Sequence, residues 1–246
     1  MYEARTYREY SNTGRFEFVR IMDEESDLWL GIDIESYNKL DLSLIRAELA
    51  LLREELKEYI HIKSVFFHSM KPLDVYDDDP AIIKKLKETG TITATGPMTG
   101  IAGIIAERIC IFILNTFEIM EVIVENGGDI CMKISSELNL AISAGENSNF
   151  KNLGLKILPS DKVIGICSSS GTFGHSYSFG EADIFTVIST DTTLADAWAT
   201  SLANRVKTKK DIQTLCNALP ENVDALLAIK DDQIAYKGNY ELIELN

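Results

Sequence analysis

Between residues 119 and 190 the chain carries seven short β-forming runs, at 119–125, 129–134, 139–143, 154–157, 163–167, 173–179 and 184–190, with only turn and loop signals between them. Strands joined by tight turns pair antiparallel, because a parallel pair needs a crossover of about a dozen residues or more. The helical patterns fall before and after this block instead of alternating with its strands. That arrangement favours an α+β fold with antiparallel-rich sheets packed with helices over a doubly wound parallel sheet.

The flanking elements follow from periodicity. Phe16 and Phe18, then Leu28 and Leu30, alternate with other residues around a turn at Asp23–Ser26, which predicts a β-hairpin over 15–33. Leu42, Ile45, Leu49, Leu52, Leu56 and Ile60 recur at three- and four-residue steps, which predicts an amphipathic helix over 41–60 packed on a sheet. Asp79 followed by Pro80 reads as a cap and first helical residue of a short helix through Glu88, with Asp77, Asp78 and Asp79 in a solvated loop. A long helix is expected over 97–117, and further helices over 193–206, 209–217 and 220–229. A terminal hairpin over 232–244 turns at Lys237-Gly238-Asn239. No repeat or flexible linker divides the chain, so residues 1–246 are expected to form one domain.

Composition narrows the function classes. With 38 acidic against 24 basic residues the net charge is -14, which argues against a nucleic-acid polymer or an anionic membrane as partner. Cys110, Cys131, Cys167 and Cys216 are scattered, with no Cys-x-x-Cys pair to suggest a zinc site. Cys110 and Cys131 read as core thiols, and Cys167, beside the Ser168–Gly171 turn, as the one facing a cleft. Met1–Arg8 holds no apolar signal core, and charged residues interrupt the apolar stretch Ile101–Val124, so a cytoplasmic protein is expected.

Three segments are candidates for chemistry. Asn126-Gly127-Gly128-Asp129 joins two β-forming runs and is a hairpin turn signal; its paired glycines also expose N–H groups where a phosphate or flavin ring can lie. Ser168-Ser169-Ser170-Gly171-Thr172 offers hydroxyls at a strand end for phosphate or ribose, and His175 follows as a candidate general acid or hydrogen-bond donor. Asp196 and Thr200 stand four residues apart on one helix face, as ligands for a hard cation such as Mg²⁺. Thr193 and Asp196 also have the spacing of a capping box, which gives Asp196 a purely structural alternative. Gly96-Pro97-Met98 opens the long helix, whose start can take packing alone or an anionic ligand as well.

Four ordered motifs carry a resemblance: Gly96-Pro97-Met98-Thr99-Gly100-Ile101-Ala102-Gly103, Glu125–Ile130, Ser170-Gly171-Thr172-Phe173-Gly174-His175-Ser176 and Ala195-Asp196-Ala197-Trp198-Ala199-Thr200-Ser201-Leu202-Ala203-Asn204. Together they resemble the ApbE-like superfamily, and within it a short cytoplasmic branch common in archaea and anaerobic bacteria. The likeness runs from the Tyr7-Arg8 region to about Val206. It implies an α+β fold and, from the superfamily's flavin transferases, a site for FAD or FMN with Mg²⁺. Asp196 and Thr200 then stand at the metal; Gly96, Pro97, Met98, Asn126, Gly127, Gly128, Asp129, Ser170, Gly171 and Thr172 stand at the nucleotide. The sequence departs from the transferases twice. His175 is followed by Ser176-Tyr177-Ser178-Phe179 with no Asp-Pro, and the helix that carries a lysine in those enzymes here begins Gly96-Pro97-Met98. A small-molecule or nucleotide ligand is expected, without efficient FMN transfer. A non-catalytic accessory protein in sulfur or cofactor metabolism, using the same cleft, is the other class.

Overall fold

The computed structural model describes residues 14–145, 148–171 and 180–245. Among the described residues, eleven strands and six α-helices are arranged in three layers. A central eight-stranded sheet has the order β1-β2-β3-β4-β7-β8-β9-β10, formed by Phe16–Asp23, Ser26–Asp33, Val122–Asn126, Asp129–Lys133, Ile164–Ser169, Ile184–Ser189, Ala225–Lys230 and Gln233–Gly238. Every neighbouring pair in it is antiparallel. A second sheet, ordered β11-β6-β5, joins Glu241–Glu244, Leu153–Ile157 and Leu138–Ala141. The helices are α1 (Leu42–Ile62), α2 (Val65–His68), α3 (Ala81–Thr93), α4 (Ile101–Thr116), α5 (Thr192–Arg205) and α6 (Lys209–Asn217).

Strand alternation builds the layers. Val122, Val124 and Cys131 share a core with Ile45, Leu49 and Leu56 of α1 and Ile104, Ile109 and Ile113 of α4. Cys167, Phe185 and Val187 pack with Ala195, Ala199 and Leu202 of α5. The alternate positions, such as Met132, Ile166 and Ile188, face away from the helices and meet Leu155 and Ile157 of the small sheet. The α1 stripe buries Ile45, Leu49, Leu52, Leu56 and Tyr59. Full burial of a Leu or Ile side chain contributes about 1.5–3 kcal/mol, enough to hold such a helix on the sheet. The stretch Pro97–Thr116 is long and apolar enough to cross a membrane, at mean hydropathy 1.7, but half of it is buried within this fold against α1, α5 and the sheet.

Three sequence expectations change here. Residues 220–229 are not a helix: Ala225–Lys230 is strand β9. Its Leu226 and Ala228 enter the α5–α6 core while Ala225, Leu227 and Ile229 enter the opposite one, so both faces are apolar and the two-residue period is hidden. The terminal hairpin is also not formed. β10 pairs with β9, whereas β11 pairs with β6 in the other sheet. At Gly238 the chain passes so close over β9 that a Cβ would stand 2.3 Å from Ala225 Cβ, and there it leaves the large sheet.

Asp79 is neither a cap nor solvated. Pro80 is the N-cap residue of α3, which runs to Thr93. The Asp79 carboxylate is buried, accepting from Lys87 Nζ at 2.6 Å, Tyr59 Oη at 2.6 Å and the Tyr76 amide at 2.9 Å. Burial pushes its pKa up, but these donors reverse that and leave it well below the usual carboxylate range.

Candidate functional site

The β3–β4 connection is a two-residue turn with Gly127 at φ 70° and Gly128 at φ 103°, closed by the pair Asn126↔Asp129. Positive φ at both central residues suits the twist of the flanking strands, and glycine adopts it without a Cβ clash. A Cβ on Gly128 would meet nothing within 4 Å, so the tip of the turn is open. By alternation from Val124 and Cys131, Asn126 and Asp129 point toward the helix layer. Asn126 Nδ2 donates to Ala102 O at 3.1 Å, tying the turn to the first turn of α4. Asp129 Oδ1 accepts from the Ser168 amide on β7 at 3.3 Å.

The start of α4 lacks a cap of its own. Its N-cap residue is Gly100, which has no side chain to accept from the first amides. The acceptor comes from α5: Asp196 Oδ2 takes the Gly103 amide at 2.8 Å, and the Ala102 amide also acts on this carboxylate. Such contact requires glycine at 103, where a Cβ would stand 2.7 Å from both Thr192 O and Asp196 Cβ. The capping-box alternative is corrected here. The N-cap of α5 is Asp191, which accepts from the Leu194 amide at 2.9 Å, and Thr193 bonds Glu107 of α4. Asp196 caps the neighbouring helix, not its own.

Two acidic side chains therefore meet in a desolvated space. Burial pushes Asp196 up to about 7, against the pull of the Gly103 and Ala102 amides. Burial and then the Asp196 charge push Asp129 well above the carboxylate range. Cys167 is fully buried rather than facing a cleft; its thiol donates to Thr192 O at 3.5 Å. Burial and the two carboxylates raise its pKa well above the ordinary thiol value. Among the described residues no Lys, Arg or His forms an ion pair with Asp129 or Asp196. The α4 amides are the positive ends that face Asp196. Buried carboxylate charge is relieved by protonation or by a compensating cation.

The remaining motif residues take different places. Thr200 is half-buried, one turn of α5 beyond Asp196. Gly96 passes under the 69–70 segment, since a Cβ there would lie 1.8 Å from Ser69 O; Pro97 is buried and Met98 packs on the α1–α4 core. Ser170 is half-buried, and the Gly171 amide donates to Ala182 O at 2.9 Å. Thr172 and His175 lie outside the described residues. The structure brings Asn126, Asp129, Asp196 and the α4 start together, while Gly96 and Pro97 serve packing. Sequence alone assigns Gly103 no role of its own, whereas Cys167 reads as facing a cleft and Ser169 belongs to the segment read for phosphate or ribose. Alternation from Asp129 and its strand pairing is the signal that reaches the last two. A separate cavity of about 380 Å³, lined by Ala144, Ser148, Asn149, Asp183, Lys209, Asp231 and Asp232, shares no residue with this cluster.

A protein-family model described as "AbpE bacteria" matches residues 8–224, most of the chain. The chain belongs to this family. Its relatives include the UPF0280 protein of Methanocaldococcus jannaschii, 32% identical over 228 residues and covering 89% of each chain. A UPF0280 protein of Methanococcus maripaludis strain C5 is 37% identical over 193 residues, covering 77% of this chain and 76% of its own. Among solved structures, the apo flavinyl transferase ApbE of Pseudomonas stutzeri aligns with a TM-score of 0.58 at 11% identity, over 90% of this chain and 94% of that one. The flavin transferase ApbE of Vibrio cholerae aligns with a TM-score of 0.58 at 12% identity, over 90% and 97%. At these identities the likeness is one of fold, and the protein has the α+β, ApbE-like architecture.

Proposed function

We propose that this protein binds a flavin nucleotide, FAD or FMN, where the β3–β4 turn, the end of β7, the start of α4 and the Asp196–Thr200 face of α5 meet, with a divalent cation such as Mg²⁺ between its phosphates and the protein. The observation that carries this reading is the buried Asp129–Asp196 pair without a cationic side chain among the described residues. Charge of that kind is kept in a folded protein when a proton or a metal ion compensates it. Asp196 and Thr200 would hold the cation. Among the described residues no group of three or more His, Cys, Asp or Glu side chains forms a metal cluster, so protein carboxylates supply only part of a coordination shell. That division suits Mg²⁺, which keeps waters and shares ligands with phosphates. When bound, the ion supplies positive charge that neutralises the diphosphate. The open β3–β4 tip leaves room for the rest of the ligand, and the fold shared with flavin transferases supports flavin as that ligand.

The test is titration of the protein with FAD, with and without Mg²⁺, alongside Asp196→Asn. Asparagine keeps an oxygen for the Gly103 amide and is as good a helix cap as aspartate, while removing the charge. The expected result is Mg²⁺-dependent binding in the wild type that Asp196→Asn abolishes without lowering the melting temperature. Indifference of the wild type to flavins would leave the accessory-protein class instead. Incubation with FAD, Mg²⁺ and a threonine-containing acceptor protein is expected to give no covalent flavin fluorescence on a denaturing gel. The missing Asp-Pro and lysine remove groups that would favour a transition state over a ground state. An Asp196-dependent fluorescent band would make the protein a transferase.

A further inference from the structure

Two buried hydroxyls on the helix side of β7 have no hydrogen-bond partner among the described residues: Ser169 Oγ and Thr192 Oγ1. A buried hydroxyl left unpaired costs stability, so each needs a reason for its place. Thr192 opens α5 and lies against Gly165, whose Cβ would stand 2.7 Å from Thr192 Oγ1. It is fully enclosed, and its hydroxyl lies against the β7 backbone at Gly165. Ser169 is placed differently.

Ser169 is the last residue of β7, at the sheet end that carries the β3–β4 turn. Along β7 the residues Gly165, Cys167 and Ser169 share one face, two positions apart. Gly165 lies against Thr192, and Cys167 packs with Ala195 and Ala199 while its thiol reaches Thr192 O. One further step along the strand, about 6.6–6.8 Å, matches about one further turn of helix, which sets Ser169 level with Ala199 and Thr200. Its neighbour Ser168 bonds Thr186 Oγ1 at 2.9 Å on the opposite face, so the two serines are not interchangeable. Ser169 is 5% exposed and, by alternation and the β4–β7 register, shares the sheet face of Asp129 and Cys167.

We propose that Ser169 is a further ligand-binding residue of this site, its hydroxyl donating to an anionic oxygen of the ligand's diphosphate. The inference rests on the site proposed above and adds a neutral donor to a group of acceptors. Asp129 and Asp196 repel a phosphate unless a cation intervenes, and a hydroxyl beside Thr200 gives the phosphate a direct hydrogen bond. An unpaired hydroxyl kept at a ligand site trades stability for binding. Thr192 is the internal comparison, because its unpaired hydroxyl lies away from the ligand.

The experiment compares wild type, Ser169→Ala and Thr192→Val by calorimetric titration with FAD and, separately, with inorganic pyrophosphate, both with Mg²⁺, and by thermal denaturation without ligand. Ser169→Ala is expected to bind both probes about 10-fold more weakly, the loss of one hydrogen bond to a charged group. Its ligand-free melting temperature is expected to stay level or rise by about 2–4 °C. Thr192→Val is expected to melt no lower than wild type and to bind unchanged. Unaltered affinity in Ser169→Ala, or a lower melting temperature in that variant, overturns the assignment. If wild type binds pyrophosphate but not FAD, and Ser169→Ala weakens it, the Ser169 role stands and the flavin reading falls. If wild type binds neither probe, both fall.

Discussion

Replacing Gly103 by alanine tests how tightly α4 and α5 are joined at the site. In an ordinary helix interior this change stabilises by about 1 kcal/mol, because alanine loses less backbone entropy. Here the added Cβ would stand 2.7 Å from Thr192 O and 2.7 Å from Asp196 Cβ, one of them a backbone atom of the facing helix. Ordinary contact begins about half an ångström or more farther out, so α4 and α5 must separate. Overpacking of this kind costs about 1–3 kcal/mol. The separation also stretches the 2.8 Å bond from the Gly103 amide to Asp196, worth about 1.5–3 kcal/mol as a bond to a charged group. With the helix-propensity gain subtracted, the net loss is about 2–4 kcal/mol. Urea denaturation of wild type and Gly103→Ala, fitted with a common m-value, measures it. Asp196 should also titrate above its present value of about 7, because the amide that holds it down is weakened; carbon NMR of the carboxyl reads this directly. A neutral or stabilising Gly103→Ala, with the Asp196 titration unmoved, would refute the cross-helix cap.

The raised pKa of Asp196 has a consequence with a definite sign. The folded form binds a proton that the unfolded chain, at the ordinary aspartate value of 3.8, has released by neutral pH, so this group's contribution to stability is lost as pH rises from about 4 to 7. Guanidinium denaturation across that range should show the decline in wild type without divalent cation and a flatter profile in Asp196→Asn. A profile rising equally in both proteins would contradict the buried acidic pair. The Asp79–Lys87 pair, with both side chains almost wholly enclosed, makes a separate prediction. Asp79→Ala or Lys87→Met alone should cost about 3–5 kcal/mol by leaving a buried charge unpaired, and the double variant should cost much less than their sum. Additive losses in a double-mutant cycle would show that the two charges are not coupled.

Much of the fold is legible in local pattern. The 41–60 stripe, the hairpin at 15–33 and the Asn126–Asp129 turn are short-range signals, each set by side-chain spacing or by the φ values glycine permits, and each is formed as expected. The absence of strand–helix alternation was sufficient for an α+β class with antiparallel sheet. Local pattern fails where burial is two-sided or the decisive contact is distant. Ala225–Lys230 looks helical because two cores hide its alternation, and Gly238 looks like a hairpin turn because its contact with Ala225 is invisible in sequence. The site divides the same way. The spacing of Asp196 and Thr200 placed them on one helix face, but only tertiary packing decided that Asp196 caps a helix 93 residues earlier in the chain and shares its burial with Asp129. A carboxylate's role depends on what surrounds it, and those neighbours come from four elements that meet only when the sheet is assembled.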